Sequence, residues 1–334
     1  MRIRLFWGKF RNFSVAELQG GVRPLFFAEI PLICGELQLL GIAASQHSGG
    51  SGFGNLRQII LLMNLGTGQK GKKMKLFITL VTIFAMTLSG FAGNSGAAEK
   101  SPPFHPGEKL RYDLRWTIIK AGEATLEVLP FETINGVRAY HFAMMAKSTS
   151  FVDVFYKIRD RIDAYADTDM TRSVFYRKKQ REGKTHRDIE VSFDWKKKEA
   201  RYSNFGNKRD PVPLPAGAFD PLSAFFHTRF MDFRENMVIE RPVTDGKKCI
   251  IGKVTVIRRE KTEAGGKIWD TWLLEPELKH IGGVFEKSRD AKIQLWVTAD
   301  TRRIPVKIKS KVVVGSFTVE LVSAEWGKMS QSEP

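Results

Sequence analysis

From Leu110 onward the chain alternates between apolar and polar positions. Leu110, Tyr112, Leu114, Trp116 and Ile118 are interleaved with Arg111, Asp113, Arg115 and Thr117, the pattern of a half-buried strand. After Ala121-Gly122 the alternation resumes with Ala124, Leu126 and Val128. Asn135-Gly136 then predicts a type I′ hairpin, because both residues tolerate positive φ. Tyr140, Phe142, Met144 and Ala146 mark a third strand, which completes a meander. Residues 151–155 read as a helical turn and 156–166 as another strand. Within that strand Asp160 falls on the apolar side between Ile158 and Ile162. An inward carboxylate needs a partner, so Asp160 reads as a hydrogen-bond anchor rather than a catalytic base.

Residues 174–202 read as two or three more polar strands. Arg177, Lys178, Lys179, Arg181, Lys184 and Arg187 crowd the first hairpin, opposed by Glu182 and Asp188. Such a run is either a solvated edge, since lysines discourage edge-to-edge pairing, or a contact for an anionic surface. Pro211, Pro213 and Pro215 form an extended connector. Next comes the clearest helix, Pro221 to Phe233, capped by Asp220, with proline at the first helical position. Leu222, Phe225, Phe226, Phe230 and Phe233 recur along one face of it. That stripe either plugs a sheet or lines a cavity. Six further strands are predicted, at 237–241, 249–259, 267–275, 291–299, 304–314 and 316–326. Between the third and fourth of these, Leu278, Ile281, Val284 and Phe285 make an apolar loop, either tucked under the sheet or acting as a flap. The prediction is a mainly β protein: a curved antiparallel sheet or open barrel wrapped around one substantial helix.

The stretch ahead of this domain has a different character. Lys70, Lys72, Lys73 and Lys75 precede a run of 13 residues, Leu76 to Leu88, of which 10 are apolar. Small residues follow, from Gly90 to Ala98. A basic start, a short apolar run and a small-residue exit are the parts of a secretory signal peptide, here 74–98. The run is shorter than the roughly 20 residues a membrane-spanning helix needs. The 73 residues before Met74 show no sustained period and read as upstream sequence translated in frame or as a disordered extension. Lys70-Gly71 codons can spell a ribosome-binding sequence just ahead of Met74. Residues 99–106 read as a linker, 107–327 as a single β-rich domain and 328–334 as a disordered tail.

Charge and cysteine content narrow the setting. The chain carries 53 basic and 36 acidic residues; residues 1–98 hold 10 and 3 of these, leaving 43 and 33 from Glu99 onward. Cys249 is the single cysteine after the signal segment, so no internal disulfide is predicted there. No cysteine stands at the signal exit for lipid attachment, so a soluble periplasmic product with no transmembrane segment is expected. His105, His141, His186, His227 and His280 are not paired at ligand spacing, and no nucleophile elbow, phosphate loop or zinc-protease motif occurs. Neither a catalytic residue, a metal nor a cofactor is predicted. Zinc-finger spacing and RNA-binding aromatic motifs are absent, so nucleic acid is not an expected partner.

Several segments carry a family resemblance. Gly107-Glu108-Lys109-Leu110-Arg111-Tyr112, Trp116 followed by Ala121-Gly122, and Phe219-Asp220-Pro221-Leu222-Ser223 with Arg229 are three of them. Leu295-Trp296-Val297-Thr298-Ala299-Asp300 and Arg303-Ile304-Pro305-Val306 complete the set. Together they resemble the exported bacterial proteins grouped as domain of unknown function 3108, from about Gly107 to Trp326. The resemblance implies a β-rich fold in a periplasmic or surface setting and no settled activity. A sheet holding an apolar helix is also similar in outline to the periplasmic lipoprotein carriers of the LolA/LolB type.

The reading that follows is a non-catalytic periplasmic binding protein for an apolar, acyl or lipid-like ligand. Trp116, Phe142, Leu222, Phe225, Phe226, Phe230, Trp272 and Trp296 would line its cavity, and the basic hairpin would face an anionic envelope surface. A structural or interaction module of the envelope is the alternative, and an envelope-polymer hydrolase a third. The export argument has a direct check: N-terminal sequencing of the secreted protein should begin near Ala97 or Ala98, and retention of Leu76 to Leu88 would defeat it.

Overall fold

The computed structural model describes residues 101–278, 291–312 and 315–327. The segments predicted as upstream extension, signal peptide and tail lie outside the described residues, as does the apolar loop from 279 to 290. From Pro102 onward the described residues belong to one compact unit. They run in the order β1 (Lys109–Trp116), β2 (Ile119–Ile134), β3 (Val137–Ser148), α1 (Ser150–Asp153), β4 (Arg159–Asp167), β5 (Ser173–Glu182) and β6 (Thr185–Asp194). Then come β7 (Glu199–Asn204), β8 (Asn207–Lys208), β9 (Val212–Pro213) and α2 (Pro221–Thr228). The last six strands are β10 (Val238–Thr244), β11 (Cys249–Ala264), β12 (Lys267–Pro276), β13 (Lys292–Thr298), β14 (Pro305–Val312) and β15 (Gly315–Glu325).

These strands form one large antiparallel sheet that is not closed by strand pairing. Its order is β10-β11-β12-β13-β14-β15-β1-β2-β3-β4-β5-β6-β7-β8, with β9 added beside β7. Register turns the alternation into continuous rows on the core face. Leu274 stands opposite Leu295, Leu295 opposite Ile308, Ile308 opposite Val319 and Val319 opposite Leu114. A second row runs Val128, Phe142, Ala164, Tyr176, Val191 and Tyr202. Because the side-chain period is two, a slip of one residue would turn each row to the other face, so burial fixes the register. The Asn135-Gly136 turn has the positive φ at both residues, 53° and 80°, that the sequence predicts.

A short bridge ties the β10 edge to β5. The Ser173 amide donates to the Ala218 carbonyl (3.1 Å), the Phe219 amide to Pro242 (3.0 Å), and the Thr244 amide to Phe219 (2.9 Å). Residues 218–219 thereby join the start of β5 to β10. Around Pro211, Pro213 and Pro215 the opposite edge stays short, because proline lacks the amide that would extend the ladder.

The helix is shorter than predicted. α2 has eight residues and ends at Thr228 rather than reaching Phe233, so a substantial helix is not the centre of the fold. Asp220 does cap it: its Oδ1 accepts from the amides of Leu222 and Ser223, both at 2.9 Å. At the other end the chain tightens, with Phe230 donating to His227 and Met231 to Thr228 at 3.1 Å each, bonds of the i−3 type. What fills the core beside α2 is Phe104, from the segment predicted as a linker. It is 1% exposed. It meets Tyr140, Phe142, Phe226 and Phe230 edge to face at 5.3–5.4 Å. Phe142 and Phe226 stack at 4.0 Å between centroids. Edge-to-face and stacked pairs add about 0.5–1.5 kcal/mol each to the gain from burial.

A cluster packed this closely cannot collapse around a missing ring. Phe226→Ala should cost about 3–5 kcal/mol in denaturant unfolding; a loss below about 1 kcal/mol would mean that the rings are not in mutual contact.

Candidate functional site

The eight aromatic and aliphatic residues predicted to line one cavity do not share one environment. Phe142, Leu222, Phe225 and Phe226 are fully buried in the core, while Phe230 is 37% exposed at the margin of the Phe104 cluster. Trp272 is half-buried and meets Phe233 edge to face at 6.5 Å. Trp116 is half-buried at the end of β1, level with the β1–β2 turn. Trp296 is buried at 7% exposure and pairs across the sheet with Lys307. Its indole donates to Glu260 Oε1 at 2.7 Å.

Beside the aromatic cluster lies a buried ion pair. Arg229, at the end of α2, donates to both carboxylate oxygens of Glu108, at 2.5 and 2.9 Å, and the two side chains are 2% and 3% exposed. The same guanidinium donates to the carbonyls of Arg302 (3.0 Å) and Pro103 (3.3 Å). It also lies over the rings of Phe104 and Phe226, at 5.0 and 5.6 Å. Tyr112 donates its hydroxyl to the Pro305 carbonyl at 2.9 Å, and burial raises the Tyr112 pKa. Three distant stretches are pinned here, and each nitrogen of the guanidinium donates.

A different cluster faces the core from β4 to β7. The row Leu126, Met144, Ile162, Lys178 and Ile189 places Lys178 among apolar neighbours. At 8% exposure it is not part of an outer basic surface, which corrects the prediction for that residue. Alternation explains this: Arg177, Lys179 and Arg181 point outward, and Lys178 between them cannot. Arg177 spends its charge on Asp188 (3.2 Å) and Glu190 (3.5 Å). Lys179, Arg181, Lys184 and Arg187 are exposed. Asp160, predicted to be an anchor, accepts from the Arg181 amide at 2.8 Å, and its other oxygen lies 3.9 Å from Lys178 Nζ. Next to it, burial first and then the hydrogen bond and charge of Asp160 push the Glu182 carboxyl up to about 8.

The β10–β11 turn packs on the neighbouring strands β6 and β7. Gly246 has φ +79°, and a Cβ there would stand 2.9 Å from Val191, so only glycine allows the approach. Lys247 then lies 4.7 Å over the Tyr202 ring, and Arg209 lies 5.3 Å from the same ring. Burial lowers the Lys247 pKa, and the charges of Arg187, Arg209 and Lys178 add to the effect against Asp245. Two cations, Arg209 after β8 and Lys247 in the β10–β11 turn, therefore meet on a single tyrosine, and the charges of Arg187 and Lys178 reach Lys247. The sequence signal for this was available only as alternation within the basic hairpin; Arg209 and Lys247 carry none.

The histidines and the cysteine have quieter settings. His227 bonds the Met170 carbonyl through Nδ1 at 3.0 Å, and burial with the Arg241 charge brings it down to about 4. On the outer face His141 lies between Glu132 (2.7 Å) and Asp163 (2.8 Å) and stacks on Tyr165. Burial would raise Asp163, but hydrogen bonds from His141 and Arg161 hold it at about 2. Burial pushes the Cys249 thiol up, away from the reactive thiolate. Among the described residues no three His, Cys, Asp or Glu side chains are grouped as a metal site, and no helix is long and apolar enough to cross a membrane.

A family described as Protein of unknown function (DUF3108) matches residues 111–322. The chain belongs to that family. Three of the segments on which the sequence resembles it meet in the structure: Glu108, Tyr112, Arg229 and Pro305 share the buried pair and its surroundings, and Asp220 caps α2. Among solved structures the chain is similar to a β-barrel-like protein of domain of unknown function DUF1849 from Brucella abortus, with TM-score 0.44 and 12% identity over 67% of this chain and 99% of that one. It is also similar to the hypothetical protein CT021 from Chlamydia trachomatis, with TM-score 0.31 and 8% identity over 71% and 96%. No curated protein matches the chain significantly.

Glu182 gives the core-face cluster a pH signature. Its folded pKa, about 8, is above the ordinary 4.5, so its stabilising contribution is complete below pH 4.5 and is lost as pH rises through about 8. Glu182→Gln should flatten the decline in unfolding free energy across that window. An unchanged slope would mean that Glu182 is not the group responsible.

Proposed function

We propose that the protein is a non-catalytic binding protein of the periplasm and that it holds an amphiphile with an apolar body and an anionic head. One observation carries this reading: Lys247 and Arg209 converge on the Tyr202 ring from separate parts of the chain. Cations gathered against one another are costly unless an anion joins them. They stand beside an apolar row, Tyr176, Val191 and Tyr202, at the edge where β8 and β10 are not paired to each other. An acyl chain would lie along that row after the β10–β11 turn lifts, and its carboxylate or phosphate would meet the cations. The signal-like segment 74–98 supports the periplasmic setting.

The second reading, a structural or interaction module of the envelope, is favoured by the Phe104 cluster, whose rings fill the space beside α2. The two readings differ in a titration. Secreted protein should bind dodecanoate more tightly than dodecanol, and Lys247→Ala or Arg209→Ala should each weaken dodecanoate about tenfold, the loss of one charge-assisted hydrogen bond, while leaving dodecanol unchanged. Absence of dodecanoate binding, or equal effects on both ligands, would leave the interaction module as the account.

A further inference from the structure

Another end of the sheet carries a surface independent of the reading above. The β1–β2 turn, the β3–β4 connection and the β5–β6 turn lie together there. Gly122 pairs with Ser148, the Thr149 amide donates to Ala121 (3.0 Å), and the Gly183 amide donates to Lys157 (2.8 Å). Tyr156 donates its hydroxyl to the Glu182 carbonyl at 3.2 Å, and its ring takes the space that a side chain on Gly183 would need.

Large apolar side chains face water at this end. Ile118 is 72% exposed, Phe151 64%, Val154 77% and Phe155 56%. Phe151 and Phe155 meet edge to face at 6.0 Å, while Val152 is the one residue of α1 that is buried. No other five-residue stretch among the described residues exposes three large apolar side chains. The backbone beneath them is firmly held. Ser148 Oγ donates to Asp153 and accepts from the Ile158 amide (2.8 Å), and Arg159 holds Asp153 at 2.5 Å. The apolar residues are thus presented on a braced turn.

The charges around them are mostly positive. Lys120, Lys147, Lys157, Arg181 and Lys184 are exposed around the tip. Among the described residues Arg181 and Lys184 make no salt bridge, whereas Lys120 and Lys147 share Glu123 at 2.9 and 3.1 Å. Glu182, the acid of the basic hairpin, is turned into the core and 3% exposed. Surface carboxylates at the tip are therefore fewer than cations, and Asp153 is already matched by Arg159.

We infer that this end is a docking tip for an anionic phospholipid surface: Ile118, Phe151, Val154 and Phe155 enter the interfacial layer, and Lys147, Lys157, Arg181 and Lys184 meet the lipid phosphates. Apolar insertion and a basic rim are each marginal alone, and stable yet reversible attachment takes both. The charge of the rim selects a lipid surface over a second copy of the chain, whose matching tip would be equally positive.

Flotation of the secreted protein with vesicles tests this. Binding should require phosphatidylglycerol, be weak on pure phosphatidylcholine, and fall with salt. Arg181→Gln and Lys184→Gln should each weaken partitioning about fivefold. The double variant Phe151→Ser, Phe155→Ser should weaken it at least about tenfold. If that variant unfolds, Val154→Ser alone, at the most exposed of the four positions, gives the same test. In Phe155→Trp the indole emission should shift to the blue when anionic vesicles are added. Binding that ignores lipid charge, binding unchanged in the variants, or a dimer in sedimentation that Phe151→Ser abolishes would each overturn the proposal.

Discussion

Glu108 and Arg229 face each other with almost none of their surface in water, and most of the architecture hangs on how that costly arrangement is satisfied. Desolvating both charges costs several kcal/mol per ion, and their attraction offsets this only when the geometry is good and the remaining donors are used. Both conditions hold here: two bonds to the carboxylate, two to backbone carbonyls, and aromatic faces on Phe104 and Phe226. The pair adds less net stability than specificity. Any packing that separated β1 from the end of α2 would strand a buried charge, at about 3–5 kcal/mol. Three of the family segments, those holding Glu108, Arg229 and Pro305, meet at this point.

Around that anchor the core face divides into two regions. One is packed with aromatic rings and long aliphatic rows; the other, between β4 and β7, interrupts the same rows with Lys178, Asp160 and Glu182. Charges inside such a row weaken the fold locally unless they are paired. The β10–β11 turn rests on Val191 and Tyr202 through Gly246, an approach that depends on a missing side chain.

Much of the strand structure was legible because alternation is local. Leu110, Tyr112 and Leu114 declare their face within a few residues, and Asn135-Gly136 declares its turn. The helix was read too long because Phe230 and Phe233 continue the spacing of Phe225 and Phe226, while nothing nearby shows that Arg229 is drawn to a partner 121 residues away. Composition groups Lys178 with its basic neighbours, although the alternation that separates it lies in the same stretch. Phe104, set between prolines, has no periodic context and looked like linker. The Tyr202 cations come from separate strands, so only the folded chain brings them together.

The position of the first strand has a consequence for how the chain is made. β1 lies in the interior of the sheet and pairs with the last strand, Lys109 opposite Glu325, while both sheet edges come from the middle of the sequence. The central seam therefore waits for the final strand to be synthesised, and contacts this remote in sequence form slowly. Until then the N-terminal meander has an open flank on β1. A chain built in this order keeps an unpaired strand edge in its middle until β15 has been made.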